Sequence, residues 1–479
     1  MDASFARRSP FGECIVHGCL LTMGMLGCIP AEELGAGRAL RVSFSGPLSV
    51  GAVADASSTV HDGSWEVKAF GRGRLLARLR LSREEDESSN GGEAPPVLPP
   101  RPSRSSPATD ALASPGQDDP HHAVDYRVGP ELQALADQLG AASLADGLRN
   151  GLAWASYVAG MEVPGLHGLL TGVKLTLAPA ARGASAAVFA LRAVDDRTGR
   201  VVVGSRLTGE AVATRAEIEA FTRSAPRPPA ASSLQPAELP RQDPDGAVVV
   251  VGASRGLGAS VALAFALRHY DVFAVYARAT DAADEMRRLA GDDAGRLVLH
   301  RADACDPSAM DALAKLLSAG KRPLRAIVLA AAPPPGSVAL AGDGAAAVAD
   351  YVTTSVRLVA TPLASLLPVL APDGIVVFCS SVALTAPPRD WPQYVAAKGA
   401  VEGLAGWLAV ANPGLTALVI RLPKMLTDMT NAPAGRVGAA PVEPIARWLA
   451  ETIMAGEVGP GLSLLEVPAE ALTRETVQS

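Results

Sequence analysis

Cysteine, blocks of positive charge and long apolar runs are all scarce in this sequence. Its five cysteines include no Cys-x-x-Cys pair and show no Cys/His spacing of a metal site. Lys and Arg number 43 against 49 Asp and Glu, and no basic block is long enough to follow a phosphate backbone. These absences predict a reduced, cytoplasmic protein with no metal and no nucleic-acid partner.

The apolar pattern also argues against a membrane partner. A membrane-spanning helix needs about 20 consecutive apolar residues. The longest candidate, between Ile15 and Ile29, is interrupted by His17. Arg7 and Arg8 precede it as they would in an export signal, but its apolar spacing fits a buried helix of a folded domain.

Two stretches rich in proline, serine and charge divide the 479 residues. They cover residues 83–122 and 224–244, and both are too poor in large apolar side chains to offset the entropy of ordering. We predict that both are disordered linkers. They separate three segments, residues 1–82, 123–223 and 245–479.

The first two segments share one plan. In the first, an apolar helix over residues 14–29 precedes strand-like residues 37–51 and 65–82. In the second, a helix over residues 148–163 precedes strand-like residues 168–183 and 185–213, with a hairpin signal at 195–199. The repetition predicts a helix wrapped by an antiparallel sheet, present twice and packed sheet to sheet as an internal pseudo-dimer.

Two phrases in these segments resemble a known family. "FARRSPFGECIVHGCLL" is similar to the entry into the central helix of the hot-dog fold in MaoC-like enoyl hydratases and dehydratases, and "YVAGMEVPGLHGLLTGVKL" looks like the matching region of a second copy. The resemblance implies an α+β double hot-dog that handles acyl thioesters. The family's catalytic Asp and His would fall before Met1, so we expect either a start further upstream or a binding module without dehydratase chemistry. His17 and His167 are further candidates for a functional role. The simpler interpretation is that both are partly buried imidazoles with no such role.

From residue 245 the pattern changes to apolar strands that alternate with amphipathic helices. The first strand, "GAVVVVGAS", is a continuous β-branched run, typical of a strand buried on both faces of a parallel sheet. Similar runs follow at residues 271–277, 296–302, 324–332, 374–380 and 415–422. This pattern predicts an α/β fold with a doubly wound Rossmann sheet.

A glycine-rich loop joins the first of these strands to its helix. Glycines there permit a tight turn and a close approach of the backbone to a pyrophosphate, whose charge the helix N-terminus stabilises. We therefore predict a dinucleotide site. Its candidate residues in this loop are Gly252, Ser254, Arg255, Gly256, Leu257 and Gly258.

The charges around this loop favour NADPH over NADH. A site that prefers NAD usually places an acidic residue about 20 residues further on. This sequence has Arg278 at that position and Arg255 inside the loop. Two guanidinium groups suit a 2′-phosphate, although either arginine could instead be a solvated surface charge.

Ser381, Tyr394 and Lys398 form the strongest candidate catalytic group. Ser381 ends the fifth predicted strand, and the four-residue spacing places Tyr394 and Lys398 on one face of the next helix. A nearby cation favours the phenolate, so Tyr394 can exchange a proton with a carbonyl or alcohol oxygen, which Ser381 would orient. We expect Lys398 also to hold the nicotinamide ribose.

The whole third segment resembles the short-chain dehydrogenase/reductases. Ser381, Tyr394 and Lys398 match the family's Ser and Tyr-x-x-x-Lys signature. The resemblance also assigns five residues to the cofactor, Asp303, Ala304, Ala330, Pro423 and Thr427. Two positions depart from the family: Leu329–Ala332 replace Asn-Asn-Ala-Gly, and the catalytic asparagine is expected near Tyr351.

Together these resemblances predict an NADPH-dependent ketoreductase for a 3-oxoacyl thioester on a carrier protein or CoA, in fatty-acid or polyketide assembly. The hot-dog region would bind the acyl chain or dehydrate the product, and the reductase would form a homo-oligomer. Two alternatives remain open. One is a nucleotide-binding scaffold or sensor that docks an acyl carrier, and the other is a reductase for a sugar or polyol.

Overall fold

The computed structural model describes residues 5–6, 8–84, 98–109, 121–180, 187–210, 212–225, 227–236, 246–278, 280–320, 322–456 and 458–473. The chain forms two compact units, residues 13–225 and a second unit that contains most of residues 226–479. The described part of residues 2–12 belongs to the second unit.

The first unit is built on one ten-stranded sheet. Its helices are α1 (Gly18–Leu26), α2 (Ala31–Ala36), α3 (Glu131–Gln138) and α4 (Asp146–Tyr157), with a π-helix at Val158–Glu162 and a 3-10 turn at Gly165–His167. Its strands are β1 (Ala39–Phe44), β2 (Asp55–His61), β3 (Ser64–Gly71), β4 (Arg74–Ser82), β5 (Arg101–Pro102), β6 (His121–Asp125), β7 (Gly168–Pro179), β8 (Ala187–Asp195), β9 (Arg200–Thr208) and β10 (Val212–Thr222).

The strand order shows that the first unit contains a repeat. The sheet runs β2-β3-β4-β1-β7-β10-β9-β8-β6-β5, so the order β1-β4-β3-β2 on one side of the central β1–β7 pair is mirrored by β7-β10-β9-β8 on the other, while β6 and β5 have no counterpart among the described residues. Each half follows a helix, α1 in the first half and α4 in the second. The two copies are joined edge to edge through antiparallel hydrogen bonds between β1 and β7, in place of the expected packing of sheet on sheet.

The helices that begin the two copies are shorter than the sequence predicts. α1 begins only at Gly18, because His17 is extended and its Nδ1 accepts a hydrogen bond from the Cys19 amide at 3.3 Å. α4 ends at Tyr157 and continues as the π-helix, which contains the buried Glu162.

The predicted linkers are partly structured. Residues 101–102 pair with β6, and the Arg101 and Arg104 guanidinium groups lie 2.5 and 2.9 Å from the buried Glu162 carboxylate. This ion-pair cluster orders residues that their composition alone would leave disordered. In the second predicted linker, residues 231–234 form the short helix α5 (Ala231–Leu234), which buries Leu234. Residues 85–97, 110–120, 226 and 237–244 of the two stretches lie outside the described residues.

The second unit has a seven-stranded parallel sheet, which confirms the predicted doubly wound architecture. The strands are β11 (Ala247–Val251), β12 (Asp271–Tyr276), β13 (Leu297–Arg301), β14 (Leu324–Leu329), β15 (Leu370–Ser381), β16 (Thr416–Leu422) and β17 (Gly461–Glu466). Their order is β13-β12-β11-β14-β15-β16-β17, with β11 buried along its whole length. In this unit, β17 is the strand that the sequence did not predict.

Helices cover this sheet. They are α6 (Gly256–Ala266), α7 (Thr280–Ala290), α8 (Pro307–Ser318), α9 (Gly344–Leu366), α10 (Pro392–Ala411), α11 (Pro433–Arg436), α12 (Val442–Ala455) and α13 (Ala469–Thr473). Among the described residues only Gly344–Val369, which is α9 and the turn after it, is long and apolar enough to cross a membrane. α9 packs against α8 and α10 of the same unit, as a core helix of this architecture does.

Candidate active site

The predicted site residues follow the carboxyl ends of neighbouring strands. The glycine loop follows β11, Ala330 follows β14, Ser381 ends β15 and Pro423 follows β16. These four strands are adjacent and parallel, so their carboxyl ends lie at one edge of the sheet. Ligands of doubly wound sheets bind at this edge.

The glycine loop requires glycine for physical reasons. Gly252 has a φ of +89°, and a Cβ there would lie 2.6 Å from the Ala331 amide nitrogen. A Cβ on Gly258 would lie 2.2 Å from the Gly252 carbonyl oxygen, and Gly256 has a φ of +53°. The first strand, its helix and the loop after β14 therefore approach one another as closely as backbones without side chains allow.

The two predicted 2′-phosphate arginines have different surroundings. Arg255 directly precedes α6, and its Nη1 lies 3.4 Å from the Asp428 Oδ2. Arg278 is exposed just after the end of β12. Ser254 is partly exposed in the loop, and the Leu257 side chain is buried at the start of α6.

The remaining predicted cofactor residues lie in the loops that follow β13, β14 and β16. Asp303 is exposed and its Oδ1 accepts a hydrogen bond from the Cys305 amide at 2.9 Å, while Ala304 is buried. The Ala330 amide donates to the Val251 carbonyl at 3.0 Å, which ties this loop to β11. Thr427 caps the short turn Asp428–Thr430, and Pro423 directly follows β16.

Tyr394 and Lys398 lie together in one pocket. The Lys398 Nζ donates a hydrogen bond of 2.7 Å to the Cys379 carbonyl and lies 5.5 Å from the centre of the Tyr394 ring. Their helix begins at Pro392, and the Trp391 ring packs edge-on against Tyr394. The pocket is lined by Leu329, Ala331, Ala332, Tyr351, Ser355, Val359, Cys379, Tyr394, Ala397, Lys398 and Val401.

Ser381 is held by its own backbone turn. Its Oγ accepts a hydrogen bond of 3.1 Å from the Ala383 amide and caps the turn Val382–Leu384. Because the amide occupies a lone pair of the oxygen, the hydroxyl hydrogen can donate elsewhere. Ser381 lies two residues after the carbonyl that holds Lys398, but its side chain does not line the pocket.

Tyr351 and Ser355 face the pocket from α9, where the resemblance leads one to expect an asparagine. The Tyr351 hydroxyl donates to the Pro333 carbonyl at 2.9 Å, and the Ser355 hydroxyl donates to the Tyr351 carbonyl at 2.8 Å. Burial, and then the neighbouring Tyr394, raise the pKa of Tyr351 far above its usual value. Tyr351 therefore stays a neutral hydrogen-bond donor.

An ion pair that the sequence analysis missed anchors α10 to the sheet. The Glu402 carboxylate accepts two hydrogen bonds of 2.9 Å from Arg421 on β16 and one of 2.6 Å from the Ser380 hydroxyl on β15. Hydrogen bonding to Arg421 lowers the pKa of Glu402. Glu402 is one turn beyond Lys398, and its partners are far away in sequence, so no local pattern identifies the cluster.

Sheet topology and site together define a doubly wound α/β domain with a candidate Ser, Tyr and Lys group. Residues 246–434 match the family model described as short chain dehydrogenase, so this part of the sequence is a short-chain dehydrogenase domain, of an oxidoreductase family. The match covers less than half of the chain. No curated protein matches the sequence.

Several solved structures are similar to about half of the chain. An oxidoreductase from Escherichia coli is 20% identical, covers 48% of this chain and 99% of its own, and has a TM-score of 0.43. A dehydrogenase/reductase from Sinorhizobium meliloti is 23% identical over 49% of this chain and 96% of its own, with a TM-score of 0.42. The landomycin C-6 ketoreductase, solved with bound NADP and rabelomycin, is 20% identical over 46% of this chain and 94% of its own, with a TM-score of 0.39.

Proposed function

We propose that the second unit reduces a 3-oxoacyl thioester, on a carrier protein or CoA, to the 3-hydroxyacyl thioester with NADPH. The arrangement of Tyr394 and Lys398 in one pocket, at the sheet edge that also holds the glycine loop, is the observation that supports this most strongly. It brings a phenol, a cation and a nucleotide-type loop to the same edge.

The residues fit a dinucleotide. Gly252, Gly256 and Gly258 leave the loop without side chains at the N-terminus of α6, whose dipole favours an anion. Arg255 and Arg278 would take the phosphate-bearing ribose, and Asp303 and Ala304 would take the adenine. Ala330, Pro423 and Thr427 would line the rest of the site.

Each catalytic side chain has a separate task. Bound NADPH would supply the hydride to the carbon of the 3-oxo group, and the thioester carbonyl would remain unchanged. The Ser381 hydroxyl would donate a hydrogen bond to the oxygen of the 3-oxo group, and Tyr394 would give that oxygen its proton. Lys398 would stabilise the resulting phenolate by its charge, because its ammonium is fixed near the Tyr394 ring by the Cys379 carbonyl.

We further propose that the first unit is a double hot-dog that binds the acyl group. The mirrored strand order about β1 and β7, with a helix before each half, supports two fused copies of one plan. The acyl-thioester role is an analogy at the level of the fold. It agrees with the substrate class proposed for the second unit.

The second unit also has apolar residues suited to self-association. Trp407 and Val410 on α10 are 59% and 83% exposed. Burial of such side chains against a second copy would stabilise a homo-oligomer, the assembly state expected from the family resemblance.

Turnover tests the proposal directly. With acetoacetyl-CoA, the full chain should oxidise NADPH, and Tyr394→Phe should lower kcat at least about 100-fold through loss of the proton donor. Tyr270→Phe, which removes a phenol hydroxyl elsewhere in the same unit, is the matched control and should keep the rate. Equal rates for Tyr394→Phe and the unsubstituted protein would refute the catalytic assignment.

A second candidate function is a nucleotide-binding sensor that docks an acyl carrier. Tyr351 and Ser355 line the pocket where the family resemblance leads one to expect an asparagine. This favours the sensor, because neither side chain has the carboxamide group of asparagine. The same experiment separates the two functions. A sensor would bind NADPH in an equilibrium titration but would consume none with any 3-oxoacyl thioester.

A further inference from the structure

The segment Arg8–Gly12, which we call the strap, contacts two loops at the carboxyl edge of the parallel sheet. At one end the Arg8 Nε lies 3.7 Å from the Asp428 Oδ2, in the loop after β16. At the other end Gly12 packs so tightly on the loop after β14 that a Cβ there would lie 2.6 Å from the Pro334 Cγ. The strap therefore reaches both loops that follow the strands on either side of β15.

The strap has a defined conformation of its own. Ser9 is buried, and its hydroxyl donates to the Ala6 carbonyl at 2.6 Å and accepts from the Phe11 amide at 3.3 Å. The Gly12 amide donates to the Ser9 carbonyl at 3.1 Å, and Gly12 has a φ of +68°. These contacts hold the Arg8 side chain toward Asp428.

Two arginines share the single carboxylate of Asp428. The Asp428 Oδ2 lies 3.4 Å from the Arg255 Nη1 and 3.7 Å from the Arg8 Nε, and the Asp428 side chain is 13% exposed. Burial raises the pKa of Asp428, and the charges of Arg255 and Arg8 oppose that rise. With Asp428 ionised, the cluster has a net positive charge.

This positive cluster lies next to the glycine loop. Thr427, the neighbour of Asp428, lies 3.4 Å from the position of a Cβ on Gly256, the first residue of α6. The Arg8 Nε is buried and makes no hydrogen bond within the described residues. The Arg8 side chain as a whole is 40% exposed, so a ligand can reach it. Two guanidinium groups beside a helix N-terminus, with a single carboxylate between them, are suited to an anion.

We propose that Arg8 is a third arginine of the cofactor-phosphate site: with Arg255 it binds a phosphate of NADPH near the start of α6, while Asp428 holds both guanidinium groups in position. The inference rests on the proposed function only in its choice of NADPH as the ligand. It adds a binding residue from outside the dehydrogenase match, since that match begins at residue 246.

Equilibrium binding of NADPH to the full chain tests the proposal. Arg8→Met keeps the apolar stem of the side chain and removes its charge, and it should raise the Kd for NADPH about tenfold. Arg8→Lys should recover part of the affinity. The matched control is Arg127→Gln, since Arg127 is 88% exposed in the first unit, and it should leave the Kd unchanged.

Two further measurements distinguish binding from a purely structural role. The dependence of the NADPH Kd on salt should weaken in Arg8→Met, because one phosphate contact is lost. Chymotryptic cleavage after Phe11 should be slowed by NADPH in the unsubstituted protein and much less in Arg8→Met. An unchanged Kd in Arg8→Met would refute the proposal, even if the variant melted at a lower temperature.

The outcomes also separate this inference from the proposed function. If NADPH binds, Arg8→Met weakens it and no thioester is reduced, the reductase assignment fails and the role of Arg8 stands. If thioester is reduced and the Arg8→Met Kd is unchanged, the reductase assignment stands and the role of Arg8 is refuted. A full chain that binds no NADPH would refute both.

Discussion

At the scale of single residues, the backbone contact of Lys398 has a direct consequence. Its ammonium is held by the Cys379 carbonyl, a group that remains whatever side chain occupies position 379. The position of the cation therefore depends on the path of β15, and a carbonyl does not titrate. The Cys379 thiol itself is buried, which raises its pKa to about 11 against the opposing effect of Lys398.

We predict that this burial makes the cysteines unequal in reactivity. Cys28 is exposed, whereas Cys19 and Cys379 are buried, and burial raises the pKa of Cys19 to about 12. Since only the thiolate reacts, a maleimide at about pH 8 should label Cys28 first and leave Cys19 and Cys379 unlabelled in the folded protein. Mass spectrometry of labelled peptides measures this, with urea-unfolded protein as the control.

The same pKa values give the sign of a stability effect at high pH. A thiol whose pKa is raised on folding stays protonated in the folded state after the unfolded chain has begun to lose its proton. The contribution of the buried thiol to the free energy of unfolding is therefore present below the ordinary pKa of 9.0 and is lost as the pH rises toward about 11 for Cys379.

In the maleimide experiment, labelling of Cys379 at the same rate as Cys28 would contradict the burial of Cys379.

At the scale of elements, the start of α6 depends on one close backbone contact. A Cβ on Gly258 would lie 2.2 Å from the Gly252 carbonyl oxygen, which belongs to backbone and cannot rotate away. Gly403 in α10 is also helical, yet beyond its chain neighbours and the backbone of its own helix no described atom lies within 4 Å of the position of its Cβ. Alanine would therefore clash with backbone at position 258 and would fit without a clash at position 403.

We predict opposite effects of alanine at these two positions. Gly258→Ala should lower the free energy of unfolding of the second unit by about 2–3 kcal/mol through overpacking and weaken NADPH binding. Gly403→Ala should raise it by about 0.5–1 kcal/mol, because alanine restricts the unfolded chain more than glycine does. Urea unfolding followed by circular dichroism tests both, and a loss of stability in Gly403→Ala equal to that in Gly258→Ala would contradict the explanation.

Sequence patterns predicted most of the elements whose burial is periodic or continuous, although β10, a central strand with periodic burial, was not predicted beyond residue 213. β11 and its neighbours were predicted because strands buried on both faces are unbroken apolar runs. β2 was missed because all seven of its residues are exposed, and β17 because its alternation of exposed leucines resembles an amphipathic surface segment. Edge strands are stabilised by backbone hydrogen bonds, which leave little signal in side-chain pattern.

The same limit applies to the candidate site. Ser381, Tyr394 and Lys398 could be found because their spacing is local, and two of them share a helix face. The Glu402–Arg421 pair and the Arg8–Asp428 contact join residues distant in sequence, and only the folded chain brings them together. Sequence reasoning also had no means of knowing that Asp428, at the carboxyl end of β16, would face Arg255.

At the scale of the whole molecule, each unit has its own apolar core. In the first unit one cluster of buried side chains extends from Cys19 to Ile218. In the second, two clusters include side chains of its β-strands, one with α6 and α12 and the other with α8, α9 and α10. The two units can unfold separately, because the cluster of the first unit shares no side chains with the two clusters of the second.

We predict that cofactor separates the two unfolding transitions. NADPH at about 100 times its Kd should raise the Tm of the second unit by about 5–10 °C and leave the Tm of the first unit unchanged. Differential scanning calorimetry with and without NADPH measures both transitions. A single transition that moves as a whole would show that the two units unfold together.

The mirrored halves of the first unit are parts of one polypeptide, whereas a pair of identical subunits would need two. In a homodimer every substitution appears on both sides of the symmetry axis, so neither side can change alone. In this chain the halves around β1 and β7 are encoded separately, and they already differ in the lengths of their helices and in the π-helix found only after α4 among the described residues. Each half of the first unit can therefore be altered by substitution without a matching change in the other half.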